Sequence, residues 1–389
     1  MAWRPGPGKL RRIAHQHDRR RGRPLPRSEG AGVRHGQWAG LVAASLPGMA
    51  ALLALLFTWM QVSQTGKELQ IIERGQVTGR YNAAVDNLGS ASLDERLGGI
   101  YALEQIMQDS ARDRRSIVAV LTAYARQHAP VTRDRSEREE TFPKPDIQAV
   151  MDILGSREYP ERTREPVDLR GTSMRSVELV PQTPAKFVYL RGARLDGADL
   201  RGSYVEKADL RDAVLNDANL SGDVWLWESD LTDAYVNDAD LSGVELSTTA
   251  VRGTDFAFSK LEGAMLCSRG IHPPQICDMT GTRFSQANLT GATLEDADLR
   301  NAWLCPEPGD EDLGGCPKLT DAVLSGANLQ DVLLSGADLR GAKLNGADLR
   351  NADLSSADLR DADLTGAKTA GAILEKAKVA GCKGCPSPD

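Results

Sequence analysis

The sequence predicts a β-solenoid over more than half of a 389-residue chain, and two observations predict it. A pentapeptide of the form Ala-(Asp/Asn)-Leu-x-x recurs from Leu190 to Val379, as in Ala198-Asp199-Leu200-Arg201-Gly202 and Ala347-Asp348-Leu349-Arg350-Asn351. A fixed short period marks a stack of near-identical units. The period also excludes the ordinary elements. Five residues of α-helix advance about 140°, so the leucines would spiral around every face. In a continuous strand an odd repeat sends alternate leucines to opposite sides. A chain that turns one corner per repeat brings the leucine and the alanine two places earlier inside every time. The Asp/Asn and the last two residues are then expected to face water. The predicted interior includes Ala198, Leu200, Leu210, Leu289, Leu299, Leu339, Ala347, Leu349 and Leu359.

Runs such as Ala337-Asp338-Leu339-Arg340-Gly341 and Ala357-Asp358-Leu359-Arg360-Asp361 resemble the pentapeptide repeat proteins. The resemblance covers residues 167 to 381 and implies a right-handed quadrilateral β-helix, four pentapeptides to a square coil. Alanine suits the crowded inner position, where a larger side chain would strike the coil above or below. Roughly 36 repeats would give about nine coils and, at about 4.8 Å each, a rod near 43 Å long.

The breaks in period are informative. Leu179 to Leu190 and Leu220 to Leu231 are each eleven residues, which predicts one bulged residue in each. Leu266 to Phe284 is eighteen, which predicts a loop of about three extra residues around His272-Pro273-Pro274. Leu304 to Leu319 is fifteen, yet Gly309 and Gly314 stand where leucines belong. That Pro-, Gly- and acid-rich stretch reads as an excursion from the wall.

Three zones precede the solenoid. Residues 1–37 carry ten Lys/Arg, including Arg19-Arg20-Arg21, against two acids, and their composition predicts a disordered basic tail. Residues 38–60 contain no charge, with Trp38 and Trp59 near the two ends, and are long enough to span a bilayer as one helix. The apolar stretch is too long for a signal peptide and no clear cleavage site follows. The basic excess ahead of the span places the N-terminus in the cytoplasm and the solenoid outside.

Residues 61–165 read as an α-helical domain. Gln61–Leu88 continues the membrane helix, Ser92-Leu93-Asp94-Glu95 is a capping box opening a second helix, and Asp113 or Ser116 opens a third that ends before Pro130. Pro145 and Gly155 bracket a fourth. The segment Arg96-Leu97-Gly98-Gly99-Ile100-Tyr101-Ala102-Leu103-Glu104 is similar to one found in membrane-anchored bacterial members of the family. This domain is expected to cap the N-terminal end of the solenoid.

The residues point to no catalytic machinery, cofactor or metal. Three of the five histidines, His15, His17 and His35, lie in the basic tail, and neither His128 nor His272 has an acid or cysteine at metal-ligand spacing. No phosphate loop or nucleophile elbow is present. An enzyme would need a cleft between the helical domain and the first coil, near Arg162 to Arg175. The six cysteines fall in three local pairs: Cys267 with Cys277, Cys305 with Cys316, and Cys382 with Cys385 in the C-terminal tail, 382–389. Even, local pairing suggests disulfides and an oxidising compartment, in agreement with the predicted orientation.

The reading is therefore a non-catalytic, membrane-anchored scaffold that presents a rigid acidic rod to a protein partner. The alternative is suggested by similarity to the gyrase-protecting pentapeptide proteins, which imitate DNA. It requires a cytoplasmic rod, whereas this chain interleaves arginines such as Arg340, Arg350 and Arg360 along its wall. Nucleic acid itself is not an expected partner.

Overall fold

The computed structural model describes residues 36–132, 143–157, 166–181, 183, 186–268, 277–306 and 315–386; side chains at 36–50, 52 and 65–74 are not described. The chain divides into two units, 1–73 and 74–389. The basic tail with Arg19-Arg20-Arg21, the His272-Pro273-Pro274 loop, Gly309, Gly314 and Arg162 lie outside the described residues.

Helix α1 (Gly36–Leu88) runs unbroken through Pro47-Gly48 and joins the charge-free stretch to the helix expected from Gln61. Leu53, Leu55, Leu56, Phe57, Trp59 and Met60 are all exposed along it. Among the described residues no helix is long and apolar enough to cross a membrane; residues 38–50 of the expected span are among those whose side chains are not described.

The second unit begins with the last turns of α1. Helices α2 (Leu93–Asp109), α3 (Arg114–His128) and α4 (Pro145–Gly155) follow, close to the expected bounds. Ile100, Leu103 and Ile106 of α2 pack with Ile117 and Leu121 of α3 and with Ile147, Val150 and Leu154 of α4. The apolar residues recur at three and four, so each helix buries one stripe. Gly99 is needed for this packing, because a Cβ there would lie 2.6 Å from the Ala84 carbonyl oxygen of α1. Ser92 is the N-cap of α2 but its side chain makes no capping bond. Glu95, the expected partner in the capping box, instead accepts from the Ser90 hydroxyl, and Ser90 Oγ accepts from the Ser92 N–H at 3.0 Å. The start of the helix was legible, whereas the device that secures it is shifted two residues upstream.

From Val167 onward the chain coils. Backbone positions pair at a regular interval of twenty, as in Asp338 with Asp358 and Asp348 with Lys368, always parallel. With one corner every five residues, each coil has four sides. Between coils the Leu349 N–H donates to the Lys368 carbonyl at 2.8 Å and the Lys368 N–H to the Ala347 carbonyl at 2.8 Å. Each side thus satisfies backbone groups that burial would otherwise leave unpaired. Most sides are too short for more than one such bridge. Among the described residues seven short strands rise above this: β1 (Glu178–Leu179), β2 (Val188–Tyr189), β3 (Tyr204–Glu206), β4 (Ala208–Asp209), β5 (Trp225–Trp227), β6 (Met265–Cys267) and β7 (Thr293–Leu294). They form parallel sheets β1-β3-β5, β2-β4 and β6-β7.

The breaks in period resolve differently from expectation in two places. Glu178 pairs with Tyr204, which is six positions more than a regular coil, while Val188 pairs with Ala208 at the regular interval. The stretch from Leu179 to Leu190 is thus one side carrying six extra residues, not two repeats and a bulge. Lys260 pairs with Asn288, eight positions beyond the regular partner, so Leu266 to Phe284 holds two sides and eight extra residues, not three sides and three extra. In both cases spacing alone divides equally well as more repeats with a smaller loop. The single bulge between Leu220 and Leu231 is present, since Val205 pairs with Leu226, one position beyond the regular partner. So is the excursion after Leu304, since Asn288 pairs with Lys318, ten positions beyond it.

The helices sit over the first coil. Ser173 N–H donates to the Ala129 carbonyl at 2.6 Å and Val131 N–H to that of Gly171 at 2.8 Å. The Gln148 side chain clamps the backbone of β1, donating to the Glu178 carbonyl at 2.6 Å and accepting from its N–H at 3.0 Å. Met151 of α4 closes the interior against Met174, Leu195 and Leu215.

Candidate interaction surface

Every predicted interior residue, Ala198, Leu200, Leu210, Leu289, Leu299, Leu339, Ala347, Leu349 and Leu359, is buried in the solenoid. Phe256 and Phe284 substitute for leucine in adjacent coils and stack with centroids 5.4 Å apart. Thr or Ser takes the alanine position in several repeats, and its hydroxyl can reach a carbonyl, as in Thr254 to Leu231 at 2.8 Å and Thr282 to Met279 at 2.6 Å. In these two the polar atom is satisfied without opening the core, whereas the hydroxyls of Thr172 and Ser203, at the same repeat position, are buried without a hydrogen-bond partner.

The residue before each central leucine was expected to face water freely, and the structure corrects this. Asp199, Asp209, Asp298 and Asp348 are all buried. When arginine stands two positions later, it forks onto the same carboxylate. Arg350 Nε and an Nη each lie 2.8 Å from the two Asp348 oxygens, and Arg360 binds Asp358 at 2.8 and 2.6 Å. Asp168, Asp199, Asp209, Asp298 and Asp338 form the same pair with Arg170, Arg201, Arg211, Arg300 and Arg340. The fork is bidentate and charge-assisted. The Arg170 hydrogen bond holds the Asp168 carboxyl down at about 2, and that of Arg360 does the same for Asp358. The Asp-x-Arg spacing was visible in the sequence, but on a strand-like wall i and i+2 share a face, and that consequence was missed.

The corners use a second rule. Asp321 and Asp361 adopt left-handed conformations, with φ of 57° and 61°. One coil later stand Gly341 and Gly381, where a Cβ would lie 2.2 Å from the aspartate oxygen.

Within the helical domain, the Arg96 side chain of α2 donates to the Tyr124 hydroxyl at 2.9 Å and to Asp146 at 3.0 Å, and the Tyr124 hydroxyl donates to Asp146 at 2.6 Å. Burial pushes the Asp146 carboxyl up, but the Tyr124 and Arg96 hydrogen bonds outweigh it and the net shift is downward. Burial and the bond to Asp146 raise the Tyr124 phenol. Arg96 also donates to the Ser90 and Ala91 carbonyls and Asp146 also accepts from the Ile147 N–H, so the cluster is a satisfied three-helix tie.

The cysteines pair as Cys267–Cys277, Cys305–Cys316 and Cys382–Cys385, with Cα separations of 6.0, 4.3 and 5.9 Å. Among the described residues no group of three or more His, Cys, Asp or Glu is placed to hold a metal ion.

Two features depart from the self-paired wall. A cleft of about 590 Å³ lies between α4 and the six-residue insertion, lined by Gln148, Asp152, Glu178, Val180, Lys186 and Phe187 among others. It adjoins the first coil, with Ser176 rather than Arg175 in its lining, one step beyond the range, Arg162 to Arg175, in which an enzyme would have needed a cleft. Next to it is the β1-β3-β5 sheet, in which Tyr204 is in register with Trp225 and Glu206 with Trp227. Leu179, Val205 and Leu226 face inward, so Glu178, Tyr204, Glu206, Trp225 and Trp227 face outward.

The family described as Pentapeptide repeats matches the chain in 8 copies, over residues 188–222, 277–304, 318–355 and 333–368. No curated protein matches the sequence. Among solved structures, HetL from the cyanobacterium Nostoc, a pentapeptide repeat protein involved in heterocyst differentiation regulation, is 27% identical over 55% of this chain and 89% of its own, with a TM-score of 0.18. QnrB1, a plasmid-mediated fluoroquinolone resistance protein, is 18% identical over 54% of this chain and 90% of its own, with a TM-score of 0.25. A pentapeptide repeat protein from the Arabidopsis thaliana thylakoid lumen is 25% identical over 36% of this chain and 72% of its own, with a TM-score of 0.14. At these TM-scores the likenesses carry no argument about what this chain does.

Proposed function

The chain belongs to the pentapeptide repeat proteins, and from that premise we propose that it is a non-catalytic, membrane-anchored binding module. The observation that carries this reading is the wall itself. Seven of its aspartates are pinned by arginine forks on a regular backbone lattice that directs the wall's charged side chains outward, an arrangement suited to presenting a fixed surface rather than to converging on a reacting atom. The anchor is the charge-free stretch 38–60. Support for it comes from the row of exposed apolar residues, Leu53 to Met60, at the point where α1 leaves that stretch. With the basic tail in the cytoplasm the solenoid lies outside the membrane, where disulfides persist. The full chain is expected to resist carbonate extraction from membranes, and a Leu56→Asp/Phe57→Asp variant to be released; release of both would remove the anchor from this account.

A second reading, imitation of DNA toward a type II topoisomerase, is favoured by the many acids on the wall. The forks weigh against it, because a carboxylate held by arginine no longer presents a free charge where a phosphate would be. Full chain added in molar excess is expected to leave gyrase supercoiling unchanged; inhibition would favour the mimic and a cytoplasmic rod.

A further inference from the structure

We propose that the outer face of the β1-β3-β5 sheet, with the cleft beside it, docks an extended Lys/Arg-bearing segment of a partner protein. The inference rests on the binding reading above and names the chemistry of the partner.

The charge pattern here differs from the rest of the wall. Elsewhere seven aspartates between Asp168 and Asp358 are answered by arginine two residues on, and others, such as Asp240 and Asp278, by the hydroxyl of Ser242 or Thr280 at the same spacing. On this sheet Glu178 is followed at that spacing by Val180, Tyr204 by Glu206 and Trp225 by Trp227. Glu206 and Glu228 share one ammonium, Lys207, at 3.5 Å each. The local field is negative, and Tyr204 registers it: burial first, then Glu206, Glu178 and Glu228, raise its phenol. In the cleft, Asp152 is also raised, by partial desolvation and by Glu178, against the lowering effect of Gln148.

The apolar surface is placed among these acids. Trp225 is 46% exposed on the sheet, and Val180 and Phe187 are 45% and 51% exposed along the cleft. A lysine or arginine is matched to such a site, because its stem lies on apolar surface while its head meets a carboxylate. Asp152 and Glu178 line the cleft with Phe187 and Val180 and outnumber Lys186, the chain's own cation in that lining; one cationic head is assigned to these two carboxylates, with its stem against Phe187 and Val180. A second lies over the Trp225 ring, where a cation is attracted by the ring face. The Gln148 clamp uses only the Glu178 backbone, so the Glu178 carboxylate is not spent on holding the cap.

The test is fluorescence anisotropy with the full chain in detergent micelles. The probe is a fluorescein-labelled decapeptide of alternating Lys and Val, compared with its Glu-for-Lys counterpart. The basic peptide is expected to bind, and the acidic one not to. Glu178→Gln and Trp225→Ala should each weaken binding about tenfold, with unchanged melting temperatures, and Asp338→Asn on another side of the coil should leave it unchanged. Equal binding of the two peptides, unchanged affinity in both sheet variants, or no binding at about 1 mM peptide would overturn the proposal. Affinity lost only in Asp338→Asn would also overturn it, yet would leave the chain a binding module with its site elsewhere on the wall.

Discussion

At the scale of the residue, each pentapeptide position has its own constraint. Leu349 is fully buried between coils, so Leu349→Asp places an unpaired charge in the core and is expected to cost about 4 kcal/mol or more, melting several coils. The neighbouring Asp348 also accepts from Gln330 at 2.9 Å and pairs with Lys368 at 3.4 Å, as well as holding Arg350. A freely solvated aspartate would be silent on mutation. Asp348→Ala is expected to cost about 1–2 kcal/mol, because it strands a partly buried fork. Thermal melting of the two variants checks both values; equal losses would contradict the inward and outward assignment. The corner rule is tested by Gly341→Ala, which puts a methyl into the Asp321 carboxylate at a backbone φ of 66°. The expected cost is about 1–2 kcal/mol, partly recovered in an Asp321→Gly background, where the collision is gone and only the backbone strain remains.

At the scale of the element, the helical cap depends on one close approach and one polar tie. Gly99→Ala should push α2 off the end of α1 and speed amide exchange in both, while leaving the distal coils protected. Asp146→Ala leaves Arg96 and Tyr124 without their shared acceptor and should cost about 3–5 kcal/mol, whereas Tyr124→Phe removes two hydrogen bonds but leaves the Arg96–Asp146 ion pair and should cost less. Denaturant unfolding of the two variants checks that order. The helices were legible in the sequence because Pro145, Gly155, Pro130 and the apolar spacing mark their ends by local rules. The Arg96-Tyr124-Asp146 tie was not, because its members lie far apart in sequence and meet only after three helices pack. The solenoid was legible for the opposite reason, since its contacts repeat the same local pattern. Its two large insertions were misdivided where that pattern stops, because spacing counts residues without saying how many of them leave the wall. The β1-β3-β5 surface escaped notice because its members sit at ordinary repeat positions. Only the coil offset brings Tyr204 beside Trp225.

At the scale of the whole molecule, the arginine forks give the rod a pH dependence. The fork holds the Asp168 and Asp358 carboxyls at about 2, and Asp298 and Asp338 are lowered by the same kind of hydrogen bond. An unfolded aspartate titrates near 4. A group depressed on folding contributes stability that is complete above its unfolded value and is lost as pH falls through its folded one. Denaturant midpoints should therefore be flat above about pH 5 and fall steadily between about 4 and 2, with a shallower fall in Arg360→Ala. An unchanged slope in that variant would show that the fork does not set the acid response.

If the stretch at 38–60 anchors the chain as proposed, the self-paired β-helical wall lies outside the membrane. The most direct measurement is labelling of the full chain in intact cells with a membrane-impermeant thiol reagent, before and after an impermeant reductant. Labelling of Cys267, Cys277, Cys305, Cys316, Cys382 or Cys385 only after external reduction is the result predicted here. Labelling only after lysis, with no reductant required, would place the solenoid in the cytoplasm with its thiols free and contradict the claim.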